Sequence, residues 1–76
     1  MDSIIKILQT LRPGIDWAAA TGLIDDGLLD SFDVITLIGE LEAAFSVRIA
    51  LEHIEPENFN SVAAIASLLR GLGAEL

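Results

Sequence analysis

Residues 30–45 read Asp30-Ser31-Phe32-Asp33-Val34-Ile35-Thr36-Leu37-Ile38-Gly39-Glu40-Leu41-Glu42-Ala43-Ala44-Phe45, and their spacing decides the fold. Val34, Leu37, Ile38, Leu41 and Phe45 recur at i, i+3, i+4, i+7 and i+11, one apolar stripe with helical period. Asp30 and Asp33 stand at capping-box spacing, with aspartate in place of the usual glutamate, so the helix starts at Asp30 or Ser31. Ser46 and the β-branched Val47 end it. With the stripe inward, Phe32, Thr36, Gly39 and Ala43 face solvent and Ile35 lies on the flank. Asp33, Glu40 and Glu42 border that outer face.

The rest of the chain repeats the helical pattern. Asp2 or Ser3 can cap a first helix reaching about Arg12, whose stripe is Ile4, Ile7, Leu8 and Leu11. Pro13-Gly14 stops it, because proline disfavours a helical residue before it. The long connection from Ile15 to Asp30 carries Trp17, Leu23, Ile24, Leu28 and Leu29, enough apolar content to pack over the helices, with one extra helical turn expected at Asp16–Ala20. Pro56 limits residues 49–59 to one or two short turns. Ser61 caps a last helix with the stripe Val62, Ile65, Ala66, Leu69 and Leu72, frayed by Gly71 and Gly73. Nothing reads as a strand or a repeat. The expectation is all-α: one domain over residues 1–76, a bundle of three main helices and one short one.

Composition narrows the function classes. Twelve acids stand against Lys6, Arg12, Arg48 and Arg70, a net charge of −8. That balance opposes nucleic acid and anionic lipid and favours basic protein partners. The charge is concentrated: nine of the acids lie between Asp25 and Glu57, with Arg48 the sole base there. The chain has no cysteine and one histidine, His53, so it offers no disulfide, no thiolate and no paired imidazoles for a metal. Asp25, Asp26, Asp30 and Asp33 lack the spacing of a calcium loop. Met1-Asp2-Ser3 shows no signal-peptide start, and no apolar run reaches the roughly 18 residues that span a bilayer. A monomer in the reducing cytoplasm is expected.

Ser31 is the residue with chemistry to offer. A serine at a helix start is ordinarily a cap, but Asp30 is adequate for that task. The unpaired amides and partial positive charge of a helix N-terminus favour an anion, so a phosphate ester on Ser31 would sit in a supporting field. An exposed Phe32 followed by small residues, rimmed by acids, has the composition of a protein contact surface. Gly39 costs a helix about 1 kcal/mol relative to alanine; either the close approach of a partner or tight internal packing would account for it.

Asp30-Ser31-Phe32-Asp33, followed by Leu37, Glu40, Leu41, Glu42, Phe45 and Ile49, resembles the second helix of acyl and peptidyl carrier proteins. The preceding Leu23-Ile24-Asp25-Asp26-Gly27-Leu28-Leu29 and the later Phe59-Asn60-Ser61-Val62 through Ile65 extend the likeness over roughly residues 23–70. The resemblance implies that Ser31 carries 4'-phosphopantetheine taken from coenzyme A, whose thiol would hold an acyl group as a thioester. It implies that Asp30 assists a phosphopantetheinyl transferase. It also implies that Phe32, Asp33, Ile35, Thr36, Gly39 and Glu42 are read by partners: an acyl- or aminoacyl-activating ligase and a downstream acyltransferase or synthase. Phe32 replaces the leucine of many fatty-acid carriers, Gly39 a larger apolar residue, and Ala43 an acid. Phenylalanine after the serine also occurs in D-alanyl carriers of teichoic acid synthesis and in stand-alone carriers near adenylating enzymes.

Two readings compete with a non-catalytic carrier. One is an unmodified helical interaction module using the Phe32 face. The other is an enzyme with Ser31 as nucleophile; His53 is then the sole imidazole base, expected on the solvated surface, and no nucleophile elbow surrounds the serine.

Overall fold

In the computed structural model, residues 2–74 are described. Four helices follow in order: α1 (Asp2–Leu11), α2 (Ser31–Phe45), α3 (Pro56–Phe59) and α4 (Val62–Gly71), with a 3-10 turn at Leu51–His53 before α3. The expected bundle of three main helices and one short one is present, and no strand occurs among the described residues. One isolated bridge, Thr21 to Ser61, ties the long connection to the start of α4.

The stripes meet in one core. α1 supplies Ile4 and Leu8, α2 Leu37 and Leu41, α3 Phe59, and α4 Val62, Ile65, Ala66 and Leu69. α1 packs on α2 and α4, and α3 packs on α4. Three members of the α2 stripe fall short of the core: Val34, Ile38 and Phe45 are only half-buried. α2 therefore carries apolar side chains beyond those its core face hides.

The connection from Arg12 to Asp30 is built as core. Trp17 and Leu23 are fully buried and Leu29 nearly so. Trp17 Nε1 donates to the Arg12 carbonyl at 3.1 Å, so the indole is buried without an orphan donor. Instead of the expected helical turn, Asp16–Ala20 forms hydrogen-bonded reverse turns, with Ala19 N donating to Asp16 O and Ala20 N to Trp17 O. Asn60 fastens the later part. Its Oδ1 accepts from Ile24 N (2.9 Å) and Asp25 N (3.2 Å), its Nδ2 donates to Asp25 Oδ2 (3.0 Å), and its carbonyl accepts from Leu23 N (2.9 Å).

The helix ends correct several expectations. Asp2 and Ser3 lie within the first turn of α1 instead of capping it. Ser61 does cap α4, its Oγ accepting from Ala64 N. The far end of α4 does not fray: Gly73 takes φ 98°, its N–H donates to Arg70 O, and Ala74 N–H donates to Leu69 O. This pair of bonds is a Schellman closure, which needs a left-handed residue at that place. Ser46 ends α2 in the same left-handed region, with φ 54° and ψ 41°.

Candidate functional site

The site is the head of α2. Asp30 is its cap, with extended backbone, and Asp30 Oδ1 accepts from Asp33 N at 2.8 Å while Asp33 Oδ2 accepts from Asp30 N at 3.2 Å. The capping box read from the spacing is therefore formed, and it resolves the starting residue: Ser31 is the first residue of the helix and not its cap. Ser31 is exposed, and among the described residues no hydrogen bond engages its Oγ. A primary hydroxyl thus stands at the positive end of a rigid helix with no structural task to perform.

Arg12 completes this head. Its Nε donates to Asp33 Oδ2 at 2.8 Å, and its Nη2 lies 3.6 Å from Asp30 Oδ2. The Asp33 carboxyl is held below the usual carboxylate range, first by the hydrogen bond from Arg12, against a smaller opposing effect of burial. Arg12 is correspondingly raised, chiefly by the same bond. The end of α1 is thereby clamped to the start of α2 across the long connection. Sequence reasoning missed this clamp, and it missed Asn60; a lone arginine beside a proline carries no local pattern that points to a carboxylate elsewhere.

Beside Ser31 opens a cleft of about 480 Å³, within the range of about 300–1,000 Å³ usual for small-molecule sites. Its wall combines Ile24 and Leu29 from the connection, Val34 and Ile38 from α2, and Ile54 and Phe59 from the α3 side. Val34 and Ile38, packed against the core from α2, thus also border an opening.

The outer face is as the spacing predicted, with two exceptions. Phe32 is 81% exposed and Ile35 67%, and Thr36, Gly39, Glu40 and Ala43 are exposed beside them. An alanine Cβ at Gly39 would meet nothing within 4 Å, so internal packing does not account for that glycine. Asp33 and Glu42 are corrected. Both are half-buried and engaged within the molecule, Asp33 as above and Glu42 through Oε2, which accepts from Ile49 N at 2.9 Å. Glu42 thus satisfies an amide just beyond the end of α2.

His53 is also not the solvated residue expected. It is half-buried, its Nδ1 accepts from Ala50 N at 3.1 Å, and its carbonyl accepts from Asn58 Nδ2 at 2.8 Å. A ring nitrogen whose lone pair is held by an amide is not available as a base, and His53 is not among the residues lining the cleft beside Ser31. Among the described residues no group of three or more His, Cys, Asp or Glu is placed to hold a metal, and no helix is long and apolar enough to cross a membrane. No family model matches the chain, and no curated protein or solved structure is similar enough to it to count as a match.

Proposed function

We propose that the protein is a free-standing carrier that holds an acyl or aminoacyl group as a thioester on 4'-phosphopantetheine attached to Ser31. One observation carries this reading: Asp30 takes the cap, which leaves Ser31 Oγ exposed and unbonded on a fixed helix head. The residues present fit the group. A phosphodiester on Ser31 lies at the electropositive end of α2, and Arg12 offsets the two nearby carboxylates. When bound, the arm supplies the thiol that this chain lacks. The chain itself holds the arm's root in a fixed direction, offers apolar shelter beside it, and performs no catalysis, consistent with an engaged His53.

The partners of such a carrier are a phosphopantetheinyl transferase, an adenylating ligase that loads the cargo, and an acyltransferase or synthase that removes it, all in the cytoplasm, with the carrier a monomer. Phe32, Ile35, Thr36 and Gly39, with the exposed Asp30 and Glu40, are the residues left for them to touch. A D-alanyl carrier is the variant within this class. The exposed Phe32–Ile35 pair also favours a second reading, an interaction module that docks without modification.

Incubation with coenzyme A, magnesium and a broad-specificity phosphopantetheinyl transferase, followed by intact mass, tests the proposal. One phosphopantetheinyl group is gained, and none by Ser31→Ala. Absence of any gain in a folded protein whose starting mass shows no arm overturns the carrier in favour of the module.

A further inference from the structure

The cleft beside Ser31 is walled largely by hydrocarbon, and its polar lining is Asp30, Ser31 and Glu55. The two carboxyl groups are not alike. Asp30 accepts the capping bond from Asp33 N and lies 3.6 Å from Arg12, so its charge is bonded and partly offset. Glu55 occupies the cap position of α3, with φ −125° and ψ 145°, yet its side chain makes no capping bond. Caps are normally Ser, Thr, Asp or Asn, so glutamate contributes little to α3 at this place. Nor does it belong to an ion pair among the described residues. Its unpaired charge is exposed to solvent at the rim of an apolar opening.

We propose that Glu55 is a specificity-determining residue of the cleft: a charge filter that admits hydrocarbon acyl groups and turns away those ending in a carboxylate. The proposal rests on the carrier reading for its cargo. At the rim solvent screens this charge in part, so a like charge brought beside it is repelled on the scale of a surface ion pair. Hydrocarbon walls alone penalise a terminal ammonium and a terminal carboxylate alike, since both lose hydration. Glu55 separates the two by sign, and discrimination then comes from repulsion of the wrong cargo. A simple aliphatic acyl group gains shelter beside Ser31; a dicarboxylic half-thioester stays in solvent.

Three cargoes of equal length decide this: octanoyl, its ω-amino analogue and its ω-carboxy analogue, each installed on Ser31 from the corresponding coenzyme A thioester. The Tm of each loaded form is measured against the unloaded protein. Octanoyl gives the largest rise, and the ω-amino chain exceeds the ω-carboxy chain by roughly 2–5 °C, the scale of one partly exposed charge pair in a small domain. Glu55→Gln removes most of that gap and Glu55→Lys inverts it; neither removes a structural bond, because Glu55 makes no cap. Equal Tm for the two charged chains, or a gap unchanged by both substitutions, overturns the filter while leaving the carrier reading intact. Free octylammonium and octanoate, titrated against the unloaded protein while the Ile54 methyl signals are followed, give an arm-free measure of the same order. If the transferase never loads Ser31, the carrier reading falls and these titrations still decide the filter: stronger binding of octylammonium, lost in Glu55→Gln, supports it, and equal binding overturns it.

Discussion

Single residues at the head of α2 set both its stability and its availability. Asp33 has a lower carboxyl pKa in the folded chain than in the unfolded one because Arg12 donates to it. The unfolded chain therefore takes up this proton first as the pH falls. The contribution of Asp33 is fully present above the ordinary carboxylate value of about 3.9 and is lost as the pH drops through its lower folded value. Asp33→Asn is expected to lower the Tm at neutral pH and to flatten the loss of Tm between about pH 5 and about pH 2. A variant whose acid limb runs parallel to that of the parent protein would show that the Arg12 pair adds nothing. Gly39 is the opposite case, a residue the fold does not require. With open space where a Cβ would stand, Gly39→Ala restores helix propensity worth about 1 kcal/mol, and the Tm rises by roughly 4–8 °C. If the chain is the proposed carrier and its partners approach α2 closely at this place, the same substitution slows loading, so stability and function move in opposite directions.

At the scale of elements, the long connection depends on one side chain. Asn60 accepts two amides of the segment and receives a third on its carbonyl, while Leu23 and Leu29 anchor it in the core. Asn60→Ala leaves Ile24 N and Asp25 N without their acceptor, at a cost of about 1–3 kcal/mol for the half-buried amide. The Tm falls, and hydrogen exchange quickens at Leu23, Ile24 and Asp25 before it does at Leu37 and Leu41. The helices themselves were legible because a stripe such as Ile4, Ile7, Leu8 and Leu11, or Val62, Ile65, Ala66 and Leu69, is a local record of burial. So were the Asp30–Asp33 box and the cap at Ser61, whose partners lie three residues away. What escaped was long-range: the Arg12 clamp, whose partner lies 21 residues away, and the Asn60 fastening, whose partners lie 35 and 36 residues away. These pairings depend on where the chain returns, and no spacing within one element encodes that. Val34 and Ile38 are a related case, since they pack against the core as their stripe implies and also line an open cleft. A stripe tells which side chains avoid water, but not whether packed core or an open cleft receives them.

Over the whole molecule, charge and size work against each other. The protein measures 29 × 23 × 18 Å and carries a net charge of −8. At an ionic strength of about 0.01 M the screening length is near 30 Å, so acids repel across its full length; at about 0.15 M it is near 8 Å, and only close neighbours interact. Salt also weakens attraction, but the attraction resolved among the described residues is the Arg12 clamp at 2.8 and 3.6 Å, inside the screening length in either buffer. Repulsion is spread over many distant pairs and loses more. Moderate sodium chloride is therefore expected to raise the Tm, steeply up to about 0.2 M and weakly beyond, with the fully buried Trp17 as a fluorescence reporter. A Tm that is flat or falling over that range would mean that the acids are held far enough apart, or well enough paired, to cost the fold nothing. The same repulsion gives a reason for keeping the surplus. A basic partner that docks at Phe32 and Ile35 neutralises charge that the isolated protein cannot, so its binding relieves strain in the fold as well as burying the exposed aromatic. Association should then weaken with salt over the interval in which the free protein becomes more stable.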